Sequence, residues 1–169
     1  FSANFFDANL GDATFVETQV IQSDFRAAKL DRSRFFGADL KQSDFSQAEL
    51  KDSDLRETNV EGVSFYNASL QRSQLRDIRN FKSANWIGTD IRDIDFSGAY
   101  LVRRHVIDEN FLHEFRHQDK LHRFLYWGWN VTSKCGRSMT RWGLFLALNI
   151  LFFSCVYWAM DQWMTPAGL

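Results

Sequence analysis

The sequence is nearly free of proline, with one residue, Pro166, in 169, and it has only two cysteines, Cys135 and Cys155. So few chain breakers argue against an enzyme whose catalytic groups ride on long loops. The cysteines match no metal or redox spacing, and two are too few for a disulfide scaffold. An excess of charge of one sign is also missing. Twenty basic residues face 21 acidic ones for a formal net charge of −1, which speaks against a nucleic-acid binder held mainly by electrostatics. No signal-peptide pattern opens the chain, and Phe1 stands where an initiator methionine would be, so an internal piece of a longer protein is expected. What is plentiful is apolar. The chain is 45% hydrophobic with 17 phenylalanines, against 24% charged, the composition of a folded protein. Its length suits one domain, or one domain plus an appendage.

Repeats are the first pattern to seek. Every fifth residue from Phe5 through Leu75 is large and apolar, beginning Phe5, Leu10, Phe15, Val20. The register then slips by one and resumes at Phe81, Trp86, Ile91, Phe96 and Leu101. Twenty such positions in a row arise by chance about once in ten million at this composition, so the period is real. Up to Leu75 the residue two before each centre is small, from Ala3 to Ser73, and the residue directly before it is polar, from Asn4 to Gln74.

A period of five fits neither a helix face nor the alternation of a strand. It fits a coil that turns a corner every five residues with its large and small side chains inward. A second period tests this: if four sides make one turn, residues twenty apart stack. Phe5, Phe25, Phe45 and Phe65 form one column, and Leu10, Leu30, Leu50 and Leu70 the next. Phe15, Phe35, Leu55 and Leu75 form a third, Val20, Leu40 and Val60 a fourth, and Trp86 rejoins the first after the slip. The sequence therefore predicts a four-sided solenoid.

The segments ANLGD, ADLKQ, AELKD and SDLRE resemble the pentapeptide-repeat family, whose consensus is A-(D/N)-L-x-x. The resemblance runs from residue 2 to about 103. It implies an all-β, right-handed quadrilateral β-helix, about 24 Å tall for five coils at about 4.8 Å each, with a core too narrow for a substrate pocket. The inserted residue near Asp77–Asn80 is expected as a bulge or corner loop.

From Trp142 to Met160 the chain carries no charge. Nineteen helical residues span about 28 Å, close to the hydrocarbon thickness of a bilayer. Aromatics bracket the segment, Trp127, Trp129 and Trp142 before and Tyr157, Trp158 and Trp163 after, as interfacial belts do. The alternative, a buried core helix, lacks any other apolar domain to bury it. Lys134, Arg137 and Arg141 precede the span and Asp161 alone follows it, which puts the N-terminal side in the cytoplasm. Asn149 and Ser154 are polar groups within the span, suited to hydrogen bonds with a neighbouring helix; a tolerated lone Asn is the bland alternative. Ahead of the span, Asp108 to Tyr126 reads as an amphipathic helix that closes the solenoid or lies along the membrane. The expected organisation is thus a solenoid at 1–103, a helical juxtamembrane junction at 104–141, a transmembrane helix at 142–160 and a short extracytoplasmic tail at 161–169.

Little in the sequence points to chemistry. His113 and His117 share one helix face, as a two-His metal site requires, but a solvated polar face explains them as well, and no cofactor or metal is expected. No phosphate loop, nucleophile elbow or carboxylate pair stands outside the repeat, so an enzyme is not expected. Binding surfaces remain. Val16 and Phe36, twenty apart and just outside the core, are candidates for partner contact or self-association. They would equally pack beneath a preceding segment. Some pentapeptide-repeat proteins inhibit or protect topoisomerases by mimicking DNA, but residues 1–101 hold 16 acids and 12 bases, a net of only −4 with signs interspersed. A second resemblance lies in WNVTSKCGRSMTRW, similar to the junction in pentapeptide-repeat proteins with a C-terminal two-helix ion-channel module; it implies that the following apolar helix is the outer one. The functional expectation is a membrane-tethered, non-enzymatic scaffold in a membrane such as the bacterial inner membrane, in contact with lipid and with other membrane subunits or copies of itself. The alternatives are a single-span accessory subunit of a respiratory or photosynthetic complex and, less suited to the charge, a DNA mimic.

Overall fold

The computed structural model describes residues 2–164. The chain divides into two compact units, Phe1–His113 and Glu114–Leu169.

The first unit is a solenoid whose turns are set by its corners. From Asp7 to Asp77 every fifth residue has a positive φ, between 53° and 67°. Left-handed backbone at that position closes a tight turn in which the next N–H returns to the repeat centre, as Ala8 N–H does to Phe5 C=O at 3.0 Å. Most of these corners are not glycine, so the turn needs support. It comes from the polar residue before the centre. The carboxylate of Asp24 accepts the N–H of Arg26 at 3.0 Å, and Asp44, Asp54 and Asp90 do the same for Ser46, Arg56 and Arg92. This side-chain turn is the physical reason for Asp and Asn in the repeat.

Those same polar positions carry the pairing between coils. Parallel bridges join Asn4 to Asp24, Asn9 to Lys29, Thr14 to Arg34 and Gln19 to Asp39, and so on up the molecule at a spacing of twenty. Four bridges per turn make four sides. The expectation of an all-β chain needs correction, however: among the described residues these are isolated bridges, not strands. With a left-handed corner every five residues, each side has too few extended positions for a ladder to propagate.

Inside, the columns stack as their spacing requires. Phe25 and Phe45 lie face to face at 4.5 Å, Phe15 and Phe35 at 4.8 Å, and neighbouring columns meet edge to face, as Phe25 and Phe35 do at 6.2 Å. The centres from Phe25 to Leu75 are fully buried, whereas Phe5, Leu10 and Phe15 are only partly so. At the slip, bridge spacing changes from twenty (Asn59 to Arg79) to twenty-one (Ser64 to Asn85). The extra residue is taken up by a left-handed Asn80 and a single 3-10 turn, Phe81–Ser83, the corner loop expected there. Trp86 then stacks on Phe65 at 4.6 Å, its indole N–H donating to Phe81 C=O at 2.8 Å.

The repeat does not reach Leu101. Helix α1, Tyr100–His117, has begun by then, and Leu101 is 64% exposed. Val102 and Val106, one helical turn apart, enter the core instead. The N-terminal part of α1 thereby closes the end of the solenoid, where apolar core and unpaired backbone would otherwise meet water.

In the second unit the helix expected over Asp108–Tyr126 is interrupted. Asp119 caps a new helix, α2 (Lys120–Ser133), its carboxylate accepting the N–H of His122 at 2.8 Å. Three consecutive left-handed residues, Lys134, Cys135 and Gly136, then turn the chain into α3, Met139–Met164. The stretch Met139–Trp158 of α3 is long and apolar enough to cross a membrane, and none of it is buried within the protein. Of the segment 161–169, residues 161–164 continue α3, and 165–169 lie outside the described residues.

Candidate interaction surfaces

The outer residues singled out by the sequence sit where the period puts them, but the apolar face is partly roofed. Val16 and Phe36 are half-buried. The next residue in their column is Arg56, whose guanidinium lies 5.5 Å from the centre of the Phe36 ring. Arg56 is fixed there by a bidentate pair with Asp54 at 2.8 and 2.7 Å. The same arrangement recurs where Arg26, paired with Asp24, stands 5.4 Å from the Phe6 ring. A cation over an aromatic face is a local attraction. These rings therefore offer a partner an edge and a guanidinium rather than a bare apolar patch.

A second surface was overlooked in the sequence although its signal is plain. Asp12, Arg32, Asp52, Arg72 and Asp93 follow one another up a single corner, alternating in sign. Arg32 donates to both oxygens of Asp12 at 2.8 Å, and Arg72 to those of Asp52 at 2.8 and 2.7 Å. The hydrogen bonds from their arginines hold Asp12 and Asp52 below the usual carboxylate range. Pairing up the column cancels charge locally, so this corner presents no continuous acidic face.

On α3, Asn149 Nδ2 donates to the carbonyl of Phe145 at 2.8 Å, so part of its hydrogen-bonding need is met within its own helix. Asn149 and Ser154 border one shallow surface with Ile150, Phe153, Val156 and Tyr157. Its character is apolar, with the Asn149 carbonyl oxygen and the Ser154 hydroxyl as polar points on it. His113 and His117 lie on α1, and no group of three His, Cys, Asp or Glu side chains suited to a metal is present among the described residues. Both free cysteines are in the second unit, and burial pushes the Cys135 thiol up from its ordinary value.

No curated protein sequence matches the chain. Among solved structures it is similar to a pentapeptide repeat protein from the Arabidopsis thaliana thylakoid lumen, with 24% identity over 63% of this chain and 88% of that one and a TM-score of 0.48. It is also similar to a pentapeptide repeat protein from the cyanobacterium Cyanothece 51142, at 16% identity over 54% and 86% of the two chains and a TM-score of 0.34. A third similar structure is QnrB1, a plasmid-mediated fluoroquinolone resistance protein, at 14% identity over 61% and 85% and a TM-score of 0.28. The family description "Pentapeptide repeat region" matches residues 1–65 and 28–105, overlapping stretches that together span more than half the sequence. The chain belongs to the pentapeptide-repeat family.

Proposed function

We propose that this protein is a membrane-tethered, non-enzymatic interaction scaffold, with α3 crossing a bilayer and the solenoid presented on the cytoplasmic side. The observation that carries the reading is α3 itself: an apolar stretch, Met139–Trp158, of spanning length and with no part buried by the rest of the protein. In water such a helix would expose Leu148, Ile150, Leu151, Phe152 and Phe153 together, a patch that soluble monomers do not carry. The basic residues Lys134 and Arg137 before the stretch, with Arg141 at its N-terminal edge, support the cytoplasmic placement of the solenoid, and a bacterial inner membrane is the setting we favour. Within this reading the solenoid is a right-handed quadrilateral β-helix, as its family likeness suggests, with Val16 and Phe36 on an outer contact face. Asn149 and Ser154 meet other membrane subunits or a second copy. The likeness of WNVTSKCGRSMTRW to the junction before an ion-channel module extends the proposal to a channel-like oligomer.

The test is fractionation followed by cysteine labelling. Alkaline extraction of membranes should leave the protein in the pellet; release into the supernatant would remove the span. With Cys135 and Cys155 replaced by Ser, a Ser46→Cys variant should react with an impermeant thiol reagent only after the cytoplasmic face is opened. An Ala167→Cys variant should react from the opposite side. Labelling of Ser46→Cys in intact cells would overturn the orientation.

A further inference from the structure

Helix α2 has an apolar side that none of the described residues of its own unit covers. Leu121, Phe124, Leu125, Trp127 and Val131 are 62%, 65%, 48%, 61% and 52% exposed. On a helical projection they fall on one broad face, with Asn130 opposite Leu121. The charge along α2 and its link is mostly of one sign: from Lys120 to Arg141 there are five basic residues, Lys120, Arg123, Lys134, Arg137 and Arg141, and no acidic one, with the capping carboxylate of Asp119 just before. The link to α3 is short, a turn through Lys134, Cys135 and Gly136, so if α3 enters a bilayer the C-terminal end of α2 stands at its surface.

An exposed apolar face has several possible occupants, and the charge selects among them. A second copy of α2 with the link that follows it would set Lys120, Arg123, Lys134 and Arg137 against the same cations, which repel. A bilayer bearing anionic headgroups accepts apolar side chains and attracts those cations at once, and tryptophan favours the same interface. We propose that α2 is an interfacial helix that lies in the headgroup layer of an anionic membrane, with Leu121, Phe124, Leu125, Trp127 and Val131 turned toward the acyl chains. The proposal rests on the reading that α3 spans the same bilayer. Its consequence is mechanical: α2 anchors the base of the helical unit in the membrane plane, where the density of anionic lipid sets how firmly it is held.

The experiment uses the full chain, reconstituted into vesicles in which roughly a third of the phosphatidylcholine is replaced by anionic phosphatidylglycerol. In a background with Cys135 and Cys155 changed to Ser, single cysteines at Phe124, Val131, Asn130 and Ile150 carry an environment-sensitive fluorophore. Nitroxides placed shallow or deep in the acyl chains, and iodide in the water, serve as quenchers. The shallow nitroxide should quench the Phe124 and Val131 probes at least about twofold more than the Asn130 probe, which iodide reaches, in keeping with a helix lying at the headgroup boundary. The Ile150 probe should respond to the deep nitroxide. Equal iodide access at Phe124, Val131 and Asn130, with Ile150 deep, overturns the interfacial helix and leaves the tether standing. An Ile150 probe open to iodide removes the tether and the interfacial helix with it. Shielding of Phe124 that rises with protein-to-lipid ratio, without nitroxide quenching, identifies a protein occupant and overturns the proposal. So does shallow quenching that is unchanged in pure phosphatidylcholine, since the cations would then play no part.

Discussion

Asn110 Oδ1 accepts the backbone N–H of Gly88 at 2.7 Å. One coil earlier the corresponding N–H, that of Asn67, donates to the carbonyl of Ile87 at 3.0 Å. Gly88 has no further coil to pair with, and a side chain of α1 takes the place of the missing carbonyl. The same amide donates from Nδ2 to the carbonyl of Trp86 at 3.0 Å. The solenoid edge is thus closed by a hydrogen bond as well as by Val102 and Val106.

Replacing Asn110 with Leu keeps the branched shape and removes all three side-chain hydrogen bonds, those to Gly88 and Trp86 and a third from Nδ2 to the Val106 carbonyl at 2.8 Å within α1. The loss should be about 1 kcal/mol, the usual net worth of such a bond where water has partial access. Urea unfolding of a fragment ending at His113, together with amide exchange at Gly88, measures it. Unchanged exchange at Gly88 would contradict the closing role.

Phe45 is fully buried and stacks on both Phe25 and Phe65, at 4.5 and 5.6 Å. Phe45→Ala should cost about 3–5 kcal/mol, as truncation of a buried Phe does. Lys41, by contrast, faces outward and pairs with Glu61 at 2.8 Å. Its replacement by Ala should cost no more than about 1 kcal/mol, the upper range for exposed ion pairs. Similar midpoint shifts for the two variants in the same fragment would be incompatible with the inward assignment.

Ser33 and Ser53 occupy small inward positions, fully buried, and their hydroxyl oxygens have no hydrogen-bond partner. A buried hydroxyl left unpaired is a net cost. Ser53→Ala should therefore be neutral or raise stability by up to about 1 kcal/mol. Thr58 is the control: its hydroxyl donates to the carbonyl of Leu55 at 2.6 Å, and Thr58→Val should destabilise. Thermal midpoints of the two variants distinguish the cases.

Acid should loosen the solenoid, and the sign follows from its carboxylates. The guanidinium of Arg92 beside Asp90, helped by the Gln71 amide at 2.6 Å, holds that carboxyl well below the usual range. Asp12, Asp24, Asp52 and Asp54 are lowered by their arginines too. Each folded pKa lies below its unfolded value of about 3.9, so the folded state binds fewer protons and its added stability is complete above about pH 4. That stability drains away as pH falls from there through the folded values. Arg92→Gln lets the Asp90 pKa rise toward normal, so the variant should be less stable at neutral pH yet lose less between about pH 4 and pH 2. Melting curves across that range that run parallel for the two proteins would count against the pairing.

How much was legible depends on whether a feature repeats. Phe5, Phe25, Phe45 and Phe65 announce their stacking because a side chain twenty residues on lies directly above. Asp24 and Asp54 announce their corners because a carboxylate before a turn has one nearby N–H to accept. The ladder of Asp12, Arg32, Asp52, Arg72 and Asp93 was equally readable once charges were read at the same spacing. Leu101 misled for the same reason that the others informed: it stays in phase with the repeat after the backbone has become a helix. Local pattern has no means of showing that Val102 and Val106 reach the core in its place, or that Asn110 reaches Gly88 across 22 residues.

The sequence alone determined the five-residue coil, its four sides, its core columns and the apolar length of the last helix, because each follows from spacing along the chain and from side-chain polarity. Only the tertiary structure decided where the coil stops, how its edge is closed, and that Arg26 and Arg56 stand over the Phe6 and Phe36 rings. Those outcomes turn on which unpaired backbone groups and exposed rings find a partner in space. That choice is made by the folded arrangement and leaves no period behind.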